Sequence, residues 1–126
     1  MLKKFGQVLL VGAFAVILPG SLAAQNYKLI TSKAEFISLM SNRTIADHKG
    51  GDTKDIYHDD GRMTGDYDDG RKFVGNWTWD GTGICISGEI IGKWKIDPGC
   101  AEVSVSGSTA KLTWRDFAEE YFTIGN

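Results

Sequence analysis

The sequence predicts a mostly β protein in which an antiparallel meander forms a small barrel or half-barrel, lipocalin-like, with one short N-terminal helix. The first observation is that turn sequences rich in Asp and Gly recur about every ten residues after residue 43. The second is that the short runs between these turns alternate apolar and polar residues, as half-buried strands do. The third is a single helix-capping sequence, which precedes the first of these runs.

Residues 1–24 have the layout of a secretory signal peptide. Lys3 and Lys4 form a basic start, an apolar run extends from Val8 to Leu18, and small residues follow before residue 25. The apolar run would make a helix of about 17 Å, which is too short for a membrane core of about 30 Å. We therefore expect bacterial export to the periplasm or the medium, and no membrane contact after cleavage.

Cleavage leaves residues 25–126 as one domain of about 102 residues, a usual size for a single core. Lys3 and Lys4 are two of the chain's 14 basic residues, so the mature domain carries 12 basic against 16 acidic residues. A net negative domain with scattered Lys and Arg is poorly suited to nucleic acid. We therefore predict no nucleic-acid partner.

A capping box predicts the one helix. Ser32 and Glu35 stand three residues apart, the spacing at which their side chains can satisfy each other's backbone N–H groups. Phe36, Leu39 and Met40 follow at helical spacing, so we expect a short amphipathic helix that ends near residue 41.

Nine strands are predicted between the turn sequences. Pairs such as Asp60-Gly61 and Asp69-Gly70 suit tight hairpin turns, because both residue types tolerate positive φ. We treat Asp97-Pro98-Gly99 as another turn. The predicted strands lie near 43–48, 53–58, 62–67, 71–79, 83–88, 93–96, 100–106, 109–115 and 118–124. Such spacing is typical of a sandwich or a small barrel.

Cys85 and Cys100 are the chain's two cysteines. In an oxidising compartment, two cysteines without a third are expected to form a disulfide with each other. If they face each other across antiparallel strands, Ile84 lies beside Ala101. The isoleucines and valines of both strands then share one inner face, and the disulfide lies on the polar outer face. We therefore predict a structural disulfide over an apolar hairpin.

Phe73, Gly75, Trp77 and Trp79 alternate along one predicted strand and therefore share a face. Such a row of rings can be a stacking platform for a sugar or lipid. Large rings equally fill the interior of a small barrel, and we favour this second interpretation.

The segment from Asp47 to Asp69 holds eight aspartates and both histidines, His48 and His58. The histidines lack the spacing of a zinc site. The run Asp66–Gly70 departs from a calcium loop, because its glycine comes one place early and no Glu stands at the twelfth position. We expect the aspartates to cap turns, and we predict no metal and no cofactor.

Enzyme signatures such as a nucleophile elbow, a zinc-protease motif or a phosphate-binding loop do not occur in the sequence. Two carboxylates in a cleft can still act as general acid and base. The chain offers several acids for such a pair without selecting two of them: Asp59, Asp60, Glu89, Glu119 and Glu120. We predict that the protein is not an enzyme and has no catalytic residue.

Several short elements follow one another along the mature chain: Asp60-Gly61, Gly75-Asn76-Trp77, Gly83-Ile84-Cys85 and Asp97-Pro98-Gly99-Cys100. In this order, behind a signal peptide and a short helix, the chain resembles a loose group of small exported alphaproteobacterial proteins of uncharacterised function. The resemblance covers most of the mature chain and implies a small β-barrel or lipocalin-like half-barrel. It brings no catalytic residues, and Ala101 stands where that group often has an aromatic residue.

The sequence favours an exported, non-enzymatic binding domain whose partner is an unknown protein or a small apolar molecule. The first hypothesis is an inhibitor or adaptor of a periplasmic or extracellular protein. Its contacts would be Lys93, Trp94 and Lys95 in the loop that the disulfide spans, with Trp79 at a strand end. The alternative is a carrier with a lipocalin-like interior, and the third is an enzyme using paired carboxylates. Rings packed solid would exclude a carrier, whereas a cavity of several hundred Å³ would favour one.

Overall fold

The computed structural model describes residues 26–47 and 53–126, so the predicted signal peptide and His48 lie outside the described residues. The described part contains one helix and nine strands: β1 (Lys28–Leu29), α1 (Lys33–Met40), β2 (Thr44–Asp47), β3 (Thr53–Tyr57), β4 (Arg62–Tyr67), β5 (Lys72–Trp79), β6 (Ile84–Ile90), β7 (Trp94–Ser106), β8 (Thr109–Trp114) and β9 (Glu119–Ile124).

Strands β2 to β9 form a closed antiparallel barrel of eight strands. Each strand pairs with the next along the chain, and β9 pairs back with β2 through Phe122 opposite Asp47 and Ile124 opposite Ile45. The predicted mostly β barrel is therefore confirmed. Strand β1, which the sequence did not predict, pairs with the second half of β7 outside the closed ring.

Helix α1 begins as the capping box predicts. The Glu35 N–H donates to Ser32 Oγ at 3.1 Å, while Glu35 Oε1 accepts from the N–H of Thr31 at 3.0 Å rather than from Ser32. Phe36 and Met40 are fully buried. Leu39 is 38% exposed, so the apolar face of the helix is narrower than the spacing indicated.

Aspartates cap the hairpin turns, as predicted. Asp60 Oδ1 accepts from the N–H of Arg62, and Asp69 Oδ1 accepts from the N–H of Arg71, both at 3.0 Å. The glycine that follows each aspartate has a φ above 90°, in the region that an L side chain rarely adopts.

The prediction that Asp97-Pro98-Gly99 forms a turn is wrong, because β7 runs through it as one strand. Ile86 pairs with Gly99 and Gly88 with Ile96, which leaves one extra residue on β7, a β-bulge. Residues 94–100 pair with β6 alone, since pairing to β8 begins at Ala101. Pro98 is tolerated there because it lies at a bulge in a segment with only one neighbouring strand.

The disulfide joins Cys85 and Cys100 with an S–S distance of 2.08 Å. The two cysteines are direct partners across β6 and β7, and Ile84 is opposite Ala101, as predicted. Ile84, Ala101 and Val103 are buried inside the barrel. The disulfide therefore joins an apolar hairpin from its outer face.

The aromatic row of β5 belongs to the core. Phe73 and Trp77 are buried, and the Trp77 Nε1–H donates to the carbonyl oxygen of His58 at 2.7 Å. The ring of Phe36 from α1 lies 4.9 Å from Trp77 and 5.3 Å from Tyr57, measured between centroids. The interpretation of this face as core is confirmed, and the helix covers it.

Candidate functional site

The barrel interior contains a cavity of about 380 Å³ that is partly open to solvent. All eight barrel strands contribute to its lining, which a groove on the outer surface could not achieve. The lining residues are Asp47, Thr53, Asp55, Tyr57, Met63, Tyr67, Phe73, Ile86, Ile96, Leu112, Trp114, Glu120 and Phe122. Small-molecule sites are typically about 300–1,000 Å³, so this volume is enough for a small ligand.

Alternation along each strand places these side chains inside. Thr53, Asp55 and Tyr57 are alternate residues of β3 and share its inner face. Tyr57 also packs against Phe36, whereas Phe36 and Trp77 do not line the cavity. The cavity therefore begins where the aromatic cluster under the helix ends.

Asp55 is the most unusual residue of the lining. It lies opposite Gly65 on β4, and a side-chain carbon on Gly65 would overlap Asp55 Oδ1. The glycine thus leaves room for a carboxylate inside the barrel. No hydrogen bond or ion pair joins that carboxylate to another side chain in the described ranges.

Burial and neighbouring negative charge act on Asp55 in the same direction. Burial, together with the smaller effects of the negative charges of Glu120 and Asp66, raises the pKa of its carboxyl to about 6. Burial raises the pKa of the Tyr57 hydroxyl as well, and the charges of Asp55 and Glu120 add to that rise. Asp55 and Tyr57 are therefore desolvated groups close to negative charge, whereas Glu120 and Asp66 are themselves exposed.

Glu120 is hydrogen-bonded to an aromatic side chain of the cavity lining. Trp114 Nε1–H donates to Glu120 Oε1 at 2.7 Å, and both residues line the cavity. The Trp114 ring lies beside Gly99 of β7, where a side chain would have pressed against it. The cavity thus combines apolar walls, aromatic rings and carboxylates, an arrangement that can bind a ligand with an apolar body and hydrogen-bond donors.

The residues predicted to contact a partner do not lie together. Lys93, Trp94 and Lys95 are exposed at the turn into β7, with Trp94 53% exposed. Trp79 is half-buried and packs toward Phe36. Trp79 pairs with Ile84 and Trp94 with Ile90, the two ends of β6, which is about 20 Å long. None of the four predicted residues lines the cavity.

Of the acids named from the sequence, Glu120 alone lines the cavity, and its neighbour Asp55 was missed. A usable signal was present in Thr53-Lys54-Asp55-Ile56-Tyr57, where alternation places Asp55 on the same face as Tyr57. The aspartates of this segment were predicted to cap turns, as Asp60 and Asp69 do.

Residues of metal-binding type cluster once in the described ranges, at Asp80, Cys85 and Cys100. The two sulfur atoms are bonded to each other and so offer no thiolate. His58 Nε2 lies 2.9 Å from Thr64 Oγ1, a hydrogen-bonding distance.

A second feature that the sequence did not reveal is Phe117, which is 85% exposed with a φ of 70°. It lies in the turn between β8 and β9, where its N–H donates to the Trp114 carbonyl at 2.8 Å. A bulky side chain with positive φ is a backbone outlier. Such outliers often mark functional positions.

A larger groove of about 620 Å³ lies on the outer face of β5, β6 and β7, lined by Val74, Glu89, Lys95 and Pro98 among others. It is more open to solvent than the interior cavity, so it would bury less of a small ligand. The interior is therefore the stronger candidate site.

The fold and the cavity define a class: a small up-and-down β-barrel with a ligand-sized interior. No protein family, curated protein or solved structure matches the chain. The resemblance to the alphaproteobacterial group therefore stays a prediction. Within the described residues, no helix has the length and apolar character required to cross a membrane.

Proposed function

We propose that this protein is an exported, non-enzymatic binding protein that holds a small ligand inside its barrel. The observation that carries this proposal is the cavity of about 380 Å³, to which every barrel strand contributes. An interior packed solid by its aromatic rings would have excluded a carrier. The carrier, which was the alternative from the sequence, is therefore the function that the geometry supports best.

Export to the periplasm or the medium is part of the proposal. It is supported by the signal-peptide pattern of residues 1–24 and by a disulfide between the two cysteines. Structural disulfides are typical of oxidising compartments.

Native mass spectrometry of the protein from its own exported fraction tests the proposal. We expect a small added mass that is lost on denaturation. Ile86→Phe should reduce this added mass, because Ile86 is half-buried and lines the interior cavity but not the outer groove. The matched control is Ile91→Phe, since Ile91 is 52% exposed and does not line the cavity.

A second assay measures binding of an added probe, because a natural ligand that is lost during purification would not be seen by mass spectrometry. N-phenyl-1-naphthylamine, a neutral apolar fluorophore, should bind saturably to the wild type and more weakly to Ile86→Phe. A bare chain mass together with no saturable binding of this probe would overturn the proposal.

The exposure of Phe117 supports a second candidate function. This is the inhibitor or adaptor, which was the first hypothesis from the sequence. An exposed aromatic ring on a turn with an unusual backbone can anchor a protein partner. A partner of defined mass in the native spectrum, lost in Phe117→Asn or Trp94→Ala and kept in Val74→Ala, would support this function. Trp79→Ala is unsuitable for this test, because Trp79 packs toward Phe36.

The non-enzymatic part of the proposal has its own test, because Asp55 and Glu120 are the pair that a hydrolase would use. We expect no turnover of nitrophenyl glycosides or nitrophenyl esters by the wild type. Turnover that Asp55→Asn or Glu120→Gln abolishes would overturn this part and favour paired-carboxylate catalysis.

A further inference from the structure

We propose that the ligand of the barrel interior is an organic cation, an ammonium group on an apolar body, with the ammonium group beside Asp55 and Glu120. This inference rests on the proposed function, since it names the chemical class of ligand for the same cavity. Three features carry it: the sign of the charges in the lining, the aromatic walls, and the lack of a partner for Asp55.

The ionisable lining is acidic throughout. Asp47, Asp55 and Glu120 contribute carboxylates, and none of the described lining residues is Lys, Arg or His. An anionic ligand would be repelled by these groups. A neutral apolar ligand would bind more weakly than a cation of the same shape, because it would take the remaining water from Asp55 without supplying a partner for the charge.

The two basic residues that follow Asp66 and Tyr67 in the β4–β5 hairpin are engaged elsewhere. Lys72 forms an ion pair with Asp66, and Arg71 pairs with Asp69 at 2.7 Å. The Arg71 guanidinium also lies 4.4 Å from the centroid of the Tyr67 ring. These charges are compensated outside the cavity, so the position beside Asp55 is left for a ligand cation.

The walls suit an ammonium group with an apolar body. Aromatic faces attract cations, and the attraction strengthens where water is excluded. Tyr57 and Trp114 present rings to the cavity, and the Trp114 indole holds the Glu120 carboxylate through its hydrogen bond. Phe73, Leu112 and Phe122 provide the buried apolar surface for the remainder of the ligand.

The same walls disfavour a metal ion. Calcium takes six to eight oxygen ligands, and magnesium keeps several waters. Seven of the thirteen lining side chains carry no oxygen, and within the described residues the three lining carboxylates do not converge closely enough to hold one ion. An organic cation uses both the carboxylates and the apolar surface, whereas a metal ion would use only the former.

A series of ligands with one shape and three charges tests the proposal. Tryptamine is cationic, tryptophol is neutral and indole-3-acetate is anionic, and all three carry the same indole ring. By titration calorimetry at pH 7.5 we expect tryptamine to bind at least tenfold more tightly than tryptophol, and indole-3-acetate to bind most weakly.

The outcomes separate this inference from the proposed function. Equal affinity for tryptamine and tryptophol would overturn the cation but leave interior binding intact. Binding of N-phenyl-1-naphthylamine without binding of any of the three indoles would also overturn the cation and leave interior binding intact. Tight Ca²⁺ binding that depends on Asp55, without a preference for tryptamine, would overturn the cation in favour of a metal. Failure of every probe would overturn both.

Asp55→Asn tests the residue that recognises the charge. The variant should bind tryptamine at least tenfold more weakly and tryptophol within twofold of the wild type. Asp59→Asn is the matched control, because Asp59 is exposed and does not line the cavity, and it should leave both affinities within twofold. Equal losses for both ligands in Asp55→Asn would show that Asp55 only shapes the cavity. A normal preference for tryptamine in Asp55→Asn would likewise overturn its assigned role.

The pH dependence of tryptamine binding separates charge recognition by Asp55 from a merely structural role, because a structural role would not make the affinity follow the ionisation of Asp55. Among the residues that the structure describes, the ionisable groups that line the cavity with Asp55 or act on its charge are all acidic. They are Asp47 from β2, Asp66 and Tyr67 from β4, Glu120 from β9 and Tyr57 from β3 itself. Protonation of Asp55 below its pKa of about 6 removes one attraction. An aliphatic ammonium stays charged throughout this range.

The dissociation constant for tryptamine should therefore rise by about tenfold between pH 7.5 and pH 5, since about nine-tenths of Asp55 is protonated one pH unit below its pKa. The value for tryptophol should stay nearly constant, and Asp55→Asn should remove most of the rise for tryptamine. A rise of the same size for tryptophol, or one that persists in Asp55→Asn, would overturn the role of Asp55.

Discussion

The carboxylate of Asp55 occupies the space that a side chain on Gly65 would fill, on the neighbouring strand and inside the barrel. This relationship places an ionisable group where a small barrel usually has an apolar one. Burial then raises the pKa of Asp55 to about 6. The same residue therefore affects both the stability of the fold and the chemistry of the cavity.

Asp55→Asn should raise the free energy of unfolding at pH 7. Because the native pKa is raised from 3.8 to about 6, the native state binds a proton more tightly than the unfolded chain, and stability falls as pH rises through this interval. Above it the cost is up to about 3 kcal/mol. Urea unfolding of both proteins at pH 7 and pH 4 measures this, and most of the difference should disappear at pH 4. An equal difference at both pH values would contradict this account.

Gly65→Ala should destabilise the protein by about 1–3 kcal/mol, because the added methyl group would displace the Asp55 carboxylate. The loss should be smaller when Gly65→Ala is made in an Asp55→Ala background. Urea unfolding of the four proteins gives the coupling free energy between the two positions. A coupling free energy near zero would show that the two residues do not interact.

Replacing both Cys85 and Cys100 by Ala should lower the free energy of unfolding by about 3 kcal/mol. The disulfide closes a loop across a separation of 15 residues, and its main effect in the chain-entropy model is to restrict the unfolded chain. Reduction of the wild type with dithiothreitol should produce a similar loss. The two can be compared by urea unfolding, and losses below about 1 kcal/mol would argue against a stabilising role.

Phe36→Ala should destabilise the protein by about 3–5 kcal/mol, because its ring is fully buried against Tyr57 and Trp77. Leu39→Ala, on the same helix, is the matched control. Leu39 is 38% exposed, so its truncation should cost less than about 1 kcal/mol. Thermal unfolding followed by circular dichroism would rank the two, and similar losses would contradict the observed packing of α1.

Phe117→Asn should stabilise the protein by about 0.5–1 kcal/mol. Phe117 has a φ of 70°, where Asn is tolerated far better than an aromatic residue, and its ring is 85% exposed and so loses little packing. Urea unfolding measures the change. A loss of stability would show that the Phe117 ring has packing that its exposure does not reveal.

The local elements of this protein are determined by the sequence itself. The N-terminal cap at Ser32, the turns at Asp60 and Asp69, and the pairing of Cys85 with Cys100 were all predicted and are all present. Each depends on residues close in sequence or on the period-two alternation of a strand. The alternation of a strand can be read from the sequence because a shift of one residue in its pairing register would move every side chain to the other face of the sheet.

The strand through Pro98 shows where local reasoning ends. Asp97-Pro98-Gly99 has the composition of a turn, yet it forms a bulge within β7. Its conformation depends on pairing with β6 along one edge. It also depends on the other edge, which is not paired with β8 until Ala101. No property of the three residues alone distinguishes these outcomes.

The cavity, and with it the candidate site, was decided only by the tertiary structure. Closure joins β2 to β9, whose residues are far apart in sequence, and it brings Asp55 and Glu120 to one interior. Whether that interior is filled depends on the sum of its side-chain volumes, including the glycines that make room for the rings of Phe73 and Trp114. A sequence pattern states which face a residue occupies, but only the closed barrel determines how much space remains between the faces.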